Sequence, residues 1–388
     1  MTEIDIRDDV QAKFLALYGY EPAGQWSAPG RVNLIGEHTD YNLGFVLPFA
    51  INRRTFVALG LREDRVIRVA SSFADEVVEI PLAELAPEAL HGWSAYPLGV
   101  AWALSEHGAE LATVPGVDIF IESDVPVGAG LSSSAAIESA VAIALNDVWR
   151  LTLSRPVLAQ VGQRAENVVV GAPTGIMDQS ASLLGQKDCA VFLDCRSLES
   201  EIVDLGLEAA GLVVLIIDTG VSHDHSTGGY AERRASCELG ARMLGVETLR
   251  DVTVDDLPRA REILDDVTFR RVRHVVTENQ RVLDTVDVLR NLGPVGIGDL
   301  LDASHRSMRD DFEISVRELD LAVETAQSNG AIGARMTGGG FGGAAIALIR
   351  SDELSRLQVA IDGAFAEHGF GQPDTFVVTA AQGASREN

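Results

Sequence analysis

Between Gly30 and Asn42 the chain reads GRVNLIGEHTDYN. Arg31, Asn33, Glu37, His38 and Asp40 fall in this stretch, interleaved with Val32, Leu34 and Ile35 and broken by Gly36. A core strand does not carry so many charges, and a solvated loop does not carry so many branched apolar residues. The mixture suits a backbone that leaves the core and turns its polar side chains into a cleft. Two carboxylates, an imidazole and a guanidinium in such a cleft can accept from and donate to the hydroxyls of a sugar. The competing reading is a capped strand-to-loop turn with surface ion pairs.

A second group of residues is suited to phosphate. Residues 125–136 read VPVGAGLSSSAA, a strand end, a glycine loop and the start of an Ala-rich helix. Gly128 and Gly130 let backbone approach a ligand closely. Ser132, Ser133 and Ser134 fall where free N–H groups and the positive end of the helix dipole favour an anion. Their hydroxyls can add hydrogen bonds or ligate Mg2+. A Ser N-cap on an ordinary buried helix is the plainer alternative. Downstream, Gly175-Ile176-Met177-Asp178-Gln179 places an acid after a glycine turn in apolar surroundings, where a carboxylate needs a partner. Arg31 is the natural one; a helix N-cap is the alternative for Asp178. Glu166 precedes it in Arg164-Ala165-Glu166-Asn167 and reads by itself as a surface-helix glutamate. Near the end, Thr337 to Gly343 carries five glycines in seven residues, bracketed by Met336 and Phe341.

These motifs carry a family resemblance. The first resembles the galactokinase signature, with Leu43 where the family usually has a second glycine and Phe49 where methionine is common. The second and third resemble the glycine motifs of the GHMP kinases. The region from Ala303-Ser304-His305 through Asp310-Asp311-Phe312-Glu313 is similar to galactokinases as well. The resemblance implies a two-domain α+β fold, with ATP and sugar between the lobes. It implies a left-handed βαβ element like that of ribosomal protein S5 in residues 1–205, and a ferredoxin-like α+β domain in residues 206–388. It also implies transfer of the γ-phosphoryl of ATP to the 1-hydroxyl of α-D-galactose, with Asp178 as base and Arg31 offsetting charge. Glu37, His38, Asp40, Gly175, Asp178 and Tyr230 would contact the sugar. Gly128, Ala129, Gly130, Leu131, Ser132, Ser133, Ser134 and Ala135 would hold the triphosphate. Trp93 and Tyr96 would line the adenine pocket. Mg2+ would lie at Glu166 and a serine of the loop, Ser134 or Ser133. For Tyr230, Trp93 and Tyr96, ordinary core packing is the alternative. At the level of function, a GHMP kinase for N-acetylgalactosamine or arabinose and a galactose sensor without turnover are the alternatives; the uninterrupted serine loop, Arg31 and Asp178 argue against the sensor.

The elements that must position these residues are legible in outline. Strands are expected at 31–35, 45–47, 55–61, 66–71, 77–80, 117–122, 189–194, 202–204, 212–218, 344–349 and 374–380. Helices are expected at 11–21, 96–107 with Gly108 as C-cap, from the serines to about 149, 155–170, 230–244, 268–292, 297–305, 316–328 and 352–368. The tail AAQGASREN reads as a frayed end. His223 and His225 have metal-like spacing but read as loop residues.

Composition sets the outer limits. The chain has 388 residues, 46% of them hydrophobic, enough for two domains with cores. Its formal charge of -26 opposes a nucleic-acid or anionic membrane partner. Lys13 and Lys187 are the only lysines, and no Walker-type phosphate loop exists. Cys189, Cys195 and Cys237 make neither a disulfide framework nor a zinc pair. The N-terminus lacks an apolar signal core, and no apolar run is long enough to span a bilayer. A cytoplasmic monomer acting on galactose and ATP is the expectation.

Overall fold

The structure is a computed structural model that describes residues 6–221 and 226–387. His223 and His225 lie outside the described residues. The first half contains α1 (Ile6–Tyr18), β1 (Gly24–Asn33), β2 (Phe45–Val46), β3 (Pro48–Arg62), β4 (Val66–Ser71), β5 (Ala74–Pro81), α2 (Ala95–Ser105) and β6 (Gly116–Ser123). There follow α3 (Ser133–Val148), α4 (Arg155–Ala165), α5 (Met177–Leu184), β7 (Cys189–Asp194) and β8 (Ser200–Asp204). The second half contains β9 (Leu212–Asp218), α6 (Ser226–Leu244), α7 (Leu257–Ile263), α8 (Asp266–Leu292), α9 (Gly298–Ser307), α10 (Arg317–Ser328) and β10 (Gly333–Thr337). It closes with β11 (Ala344–Arg350), α11 (Leu354–His368), β12 (Asp374–Val378) and β13 (Ser385–Arg386).

Six strands form the first sheet in the order β13-β1-β3-β6-β4-β5, antiparallel except for the β4/β6 pair. Strands β3 and β6 are buried on both faces. Val57, Leu59, Ile119 and Ile121 face a core shared with α2, α3 and α4, whereas Phe56, Ala58 and Phe120 face α1 through Val10 and Phe14. That alternation is the period of two expected of a pleated strand. The second lobe runs β9, helices, β10, β11, α11, β12, with sheet order β10-β11-β9-β12. This is the ferredoxin-like βαββαβ arrangement, with the first crossover lengthened by several helices. A third apolar cluster joins the lobes: Val32, Leu34, Ile35, Val125 and Leu131 pack with Ile216, Val282, Ile346 and Leu301.

Three local readings need correction. Strand β1 begins at Gly24, earlier than the apolar pattern suggests, because Pro29 and Gly30 interrupt that pattern. They sit where the pairing with β3 slips register, between Pro29 and Arg31. A bulge tolerates a residue without an N–H and re-aims the next side chain. The helix expected over 155–170 is α-helical only to Ala165; Glu166–Val170 forms a π-turn that ends at Gly171, φ 81°. The tail is not frayed. Ser385 and Arg386 pair with Ser27 and Trp26, Ala384 is buried, and Arg54 donates to the carbonyls of Gln382 at 2.6 Å and Gly383 at 3.1 Å. The chain end thus returns to the first sheet.

A buried ionic seam fastens the signature loop to the second lobe. Arg335 on β10, wholly buried, donates to the carbonyls of Asn33 at 3.0 Å and Leu34 at 2.9 Å. It pairs with Glu37 at 3.3 Å and lies 4.0 Å from Glu278. Glu278, on α8, accepts from the Gly36 amide at 3.0 Å, Ser304 at 2.7 Å and Arg281 at 2.7 Å. Burial works against its ionised form, yet Arg281, His274 and Arg335 together bring it down to about 2. Arg335→Met would leave two buried carboxylates short of their shared cation. Its stability should fall by about 3–5 kcal/mol, read as a lower denaturant midpoint with an unchanged slope; an unaltered midpoint would mean the seam carries no stability.

Candidate active site

Where the lobes meet, a cavity of about 540 Å³ is lined by Arg31, Glu37, His38 and Asp40 of the signature loop and by residues of the phosphate loop from Pro126 to Ser134. The segment 171–178, Tyr96, Tyr230 and Gly338–Gly340 complete the wall. The three sequence motifs therefore converge on one space.

Arg31 and Asp178 form a bidentate pair: Nε to Oδ1 at 2.8 Å and Nη2 to Oδ2 at 2.8 Å. Two parallel bonds fix both planes. The third arm of Arg31 reaches the Gly130 carbonyl at 2.6 Å, which locks the phosphate loop to the acid. Asp178 lies in the first turn of α5 and does not cap it; Ile176 is the N-cap residue. Ser132 holds the N-cap position of α3 but makes no side-chain capping bond. It stands at φ 56°, ψ 52° before α3 and donates its hydroxyl to Asp178 Oδ2. The left-handed turn removes Ser132 from its own helix and aims it across the cavity.

Glu37 is held from four sides. Oε2 accepts from Asn33 at 2.7 Å, and Oε1 accepts from the Gly338 amide at 2.8 Å and Thr337 at 3.2 Å, with Arg335 beside it. Burial pushes its carboxyl up, against Arg335 and Arg31, which hold it down. His38, φ 61°, has both ring nitrogens engaged within the protein. Nε2 is 3.1 Å from the Gly339 carbonyl, which can only accept, so Nε2 carries the hydrogen and Nδ1 accepts from Tyr41 O–H at 2.7 Å. Burial, helped by His274, lowers His38 to about 3 and keeps the ring neutral. The imidazole clamps the signature loop to the third glycine motif among Tyr230 and Phe312, with ring centroids at 5.0 and 4.8 Å. That leaves the face and edge of the ring, rather than a free nitrogen, for any ligand.

Asp40 lies against Gly175. A methyl group at Gly175 would fall 1.9 Å from Asp40 Oδ2, so only glycine lets the two segments meet. Burial and the neighbouring Asp178 raise the Asp40 carboxyl to about 6. Glu166 is buried at the π-turn and reaches the cavity through Ser134, whose hydroxyl donates to Oε1 at 3.1 Å. Its Oε2 accepts from Thr174 at 2.7 Å and Gln179 at 2.9 Å. Burial and Asp178 raise its pKa as well, so a cation beside it would be stabilising. One carboxylate and one hydroxyl oxygen suit Mg2+, which keeps water and phosphate oxygens for the rest of its shell. Among the described residues no cluster of three or more His, Cys, Asp or Glu side chains is arranged to hold a metal.

Not every expected residue borders the cavity. Trp93 does not: its ring packs edge-on against Phe73 at 5.5 Å and joins the first-lobe core, while Tyr96, one helical turn on, does line the wall. Ala129 and Ala135 are buried behind the loop and offer only backbone. Tyr230 lines the cavity, and a methyl group on Gly339 would lie 3.5 Å from its ring. The reading of single motifs missed Tyr41, Gln179, Arg335 and the Ala172-Pro173-Thr174 wall. The APTG turn before Asp178 was the available signal for the last of these.

Comparison with known proteins agrees with this geometry. The model of the GHMP kinase N-terminal domain matches residues 95–186, that of the galactokinase galactose-binding signature residues 12–61, and that of the GHMP kinase C-terminal domain residues 286–367. A mevalonate kinase from Methanococcus jannaschii shares the fold at TM-score 0.65 and 18% identity, over 92% of this chain and 98% of that one. The architecture is the two-domain GHMP kinase fold. The galactokinase of Streptomyces coelicolor is 50% identical over 97% of each chain, and that of Mycobacterium bovis 45% identical over 93% of this chain and 98% of its own. Lactococcus lactis galactokinase, solved in complex with galactose, superposes at TM-score 0.93 with 32% identity, over 98% of this chain and 100% of that one. The chain belongs to the galactokinase family.

The position of Asp40 yields a pH test. Its carboxyl is neutral below about pH 6 and ionised above it. A carboxylate accepts from sugar hydroxyls; the protonated acid loses part of that capacity. Galactose affinity, measured by calorimetry, should fall as pH drops through 6, by about tenfold at pH 5. Asp40→Asn should bind weakly throughout and show a flat profile; a wild-type profile that is flat from pH 8 to 5 would remove Asp40 from the sugar site.

Proposed function

We propose that this chain transfers the γ-phosphoryl group of ATP to the 1-hydroxyl of α-D-galactose, giving galactose 1-phosphate and ADP. The observation that carries the reading is the Arg31–Asp178 pair fixed between the signature loop and the serine loop. A sugar held by Glu37, Asp40, Gly175 and Tyr230 brings a hydroxyl to Asp178, while the triphosphate lies along Gly128–Ser134 at the start of α3. Asp178 accepts the hydroxyl proton as that oxygen attacks phosphorus. Arg31 orients Asp178 through the bidentate pair and offsets charge on the equatorial phosphoryl oxygens. Gly128, Gly130 and Ser132 are left-handed, a backbone path that would let N–H groups face the phosphates.

Ser134 and Glu166 would hold Mg2+. When bound, the ion supplies neutralisation of phosphate charge. Tyr96, in the cavity wall, would line its nucleotide end. Walls from both lobes line the cavity, so a bound sugar would present its hydroxyl to the phosphoryl group in place of water.

ADP release from MgATP should be fast with galactose and slow with glucose, arabinose and N-acetylgalactosamine, and the product should carry phosphate on the anomeric oxygen by phosphorus-coupled NMR. Turnover only on another sugar would redirect the substrate assignment; binding of both ligands without turnover would make the chain a sensor. For the base, Asp178→Asn should keep galactose Kd within about threefold and lower kcat by roughly 10²–10⁴. Near-normal kcat in that variant would show that Asp178 is not the proton acceptor.

A further inference from the structure

Directly behind the catalytic pair lies a buried polar link that the reaction as described leaves without a task. Gln179 follows Asp178 on α5 and is wholly buried. Its Nε2 donates to Glu166 Oε2 at 2.9 Å and to Glu138 Oε2 at 2.8 Å. Both neighbours are carboxyl oxygens that can accept, and the amide nitrogen carries the two hydrogens that serve them. Glu138 stands on α3, the helix that begins at the serine loop; Glu166 stands at the end of α4; Gln179 stands on the helix of Asp178. One amide group therefore ties the phosphate loop, the Glu166 turn and the catalytic acid together. The helices are shaped for it: a methyl group on Gly162 of α4 would lie 2.8 Å from Gln179 Cγ.

The geometry also divides the work of the Glu166 carboxylate. Gln179 and Thr174 both bond Oε2. Oε1 is left to Ser134 alone, at 3.1 Å. Two donors on one oxygen fix the rotation of the carboxylate and direct the other oxygen toward the serine loop. Glu138 itself has Oε1 without a partner, as has Gln179, so this contact is not an optimal hydrogen-bond arrangement for stability alone.

We propose that Gln179 is a positioning residue that aims Glu166 Oε1 at the divalent cation of the bound nucleotide. The inference rests on the assignment of Mg2+ to Ser134 and Glu166, and the test separates the two. Outer-shell partners of a metal ligand typically change affinity by about 10–100-fold when removed. The direct readout is Mn2+ binding to the enzyme–ADP complex, followed by electron paramagnetic resonance, alongside galactose binding by calorimetry and a thermal melt. Glu166→Gln reports on the ligand, Gln179→Met on the positioning residue, and Glu138→Gln on the far end of the link.

The expected pattern is loss of Mn2+ binding in Glu166→Gln, a weakening of at least tenfold in Gln179→Met with galactose Kd within about twofold, and retention within about twofold in Glu138→Gln. Should Gln179→Met not fold, Gln179→Asn replaces it, because the shorter amide cannot span both carboxylates, and it should show the same weakening. Wild-type Mn2+ affinity in the folded Gln179 variant, with binding lost in Glu166→Gln, would overturn the positioning role and leave the cation assignment standing. Wild-type Mn2+ affinity in Glu166→Gln would overturn both. Equal loss of Mn2+ and galactose binding in the Gln179 variant would show a merely structural role and overturn the proposal.

Discussion

The site depends on Arg335, a cation with no exposure to water. It belongs to the second lobe and reaches Met308 Sδ there at 3.4 Å, yet its hydrogen bonds to oxygen and its nearest ion pair are with the first lobe: the carbonyls of Asn33 and Leu34 and the carboxylate of Glu37. A guanidinium can serve two carbonyls and a carboxylate at once because its donors diverge in one plane. Removing the ion from water is costly, and the return is positional more than energetic. The signature loop can adopt a non-strand path, with left-handed residues at Gly36, His38 and Leu43, because the second lobe satisfies the backbone groups that this path exposes. His274 extends the same device, donating from Nε2 to the Glu37 carbonyl at 3.1 Å while Nδ1 accepts from Ser307 at 3.0 Å.

A second constraint is close approach of backbone to backbone. Gly130 of the phosphate loop and Gly338 of the third motif are so near that a methyl group on Gly338 would lie 3.1 Å from the Gly130 carbonyl. Gly30 would meet the Leu131 carbonyl at 2.6 Å, and Arg31 N donates to that same carbonyl at 3.0 Å. Three glycine segments from distant parts of the chain thus stack into a single wall. Side chains would hold them apart and widen the cavity that must bring sugar and phosphate together. The glycines matter less as flexible links than as surfaces thin enough to nest.

How far the sequence alone could be read follows from the range of each interaction. The residues of the phosphate loop, the pairing of Arg31 with Asp178 and the approach of Ser134 to Glu166 were legible, the last through family resemblance rather than spacing. Long periodic segments such as Asp266–Leu292 were also clear, because packing and local propensity agree there. Strand β10 was hidden, since Gly333–Thr337 is short and every residue in it is buried, leaving no alternation to detect. Arg335 was hidden with it. The role of His38 could not be foreseen either. Its type suggests a sugar contact through nitrogen, but Tyr41 and the Gly339 carbonyl, the latter some three hundred positions away, engage both nitrogens. The tail was misread for a similar reason: a polar, glycine-bearing end looks frayed until Ser27, Trp26 and Arg54 supply partners.

The charge of the site sets its remaining chemistry. Among the described residues that line the cavity, Arg31 is the only cationic side chain, His38 being neutral, whereas Glu37, Asp40 and Asp178 are acidic. The whole chain adds a formal charge of -26. A polyphosphate entering that field cannot be held by side-chain cations, and Arg31 is already shared with Asp178. Under the proposed reaction, binding would rest on short-range terms that the overall charge does not cancel: backbone N–H groups of the left-handed loop, the positive end of α3, and a divalent cation brought in with the nucleotide. The same scarcity helps selectivity. With one guanidinium locked to Asp178 and no lysine in the wall, an anion alone would find little to bind, while a neutral polyol would find the acceptors Glu37 and Asp40. In the proposed reaction the acids that would oppose nucleotide binding are the groups that would recognise sugar, and the paired Arg31 would let both demands be met within one cavity.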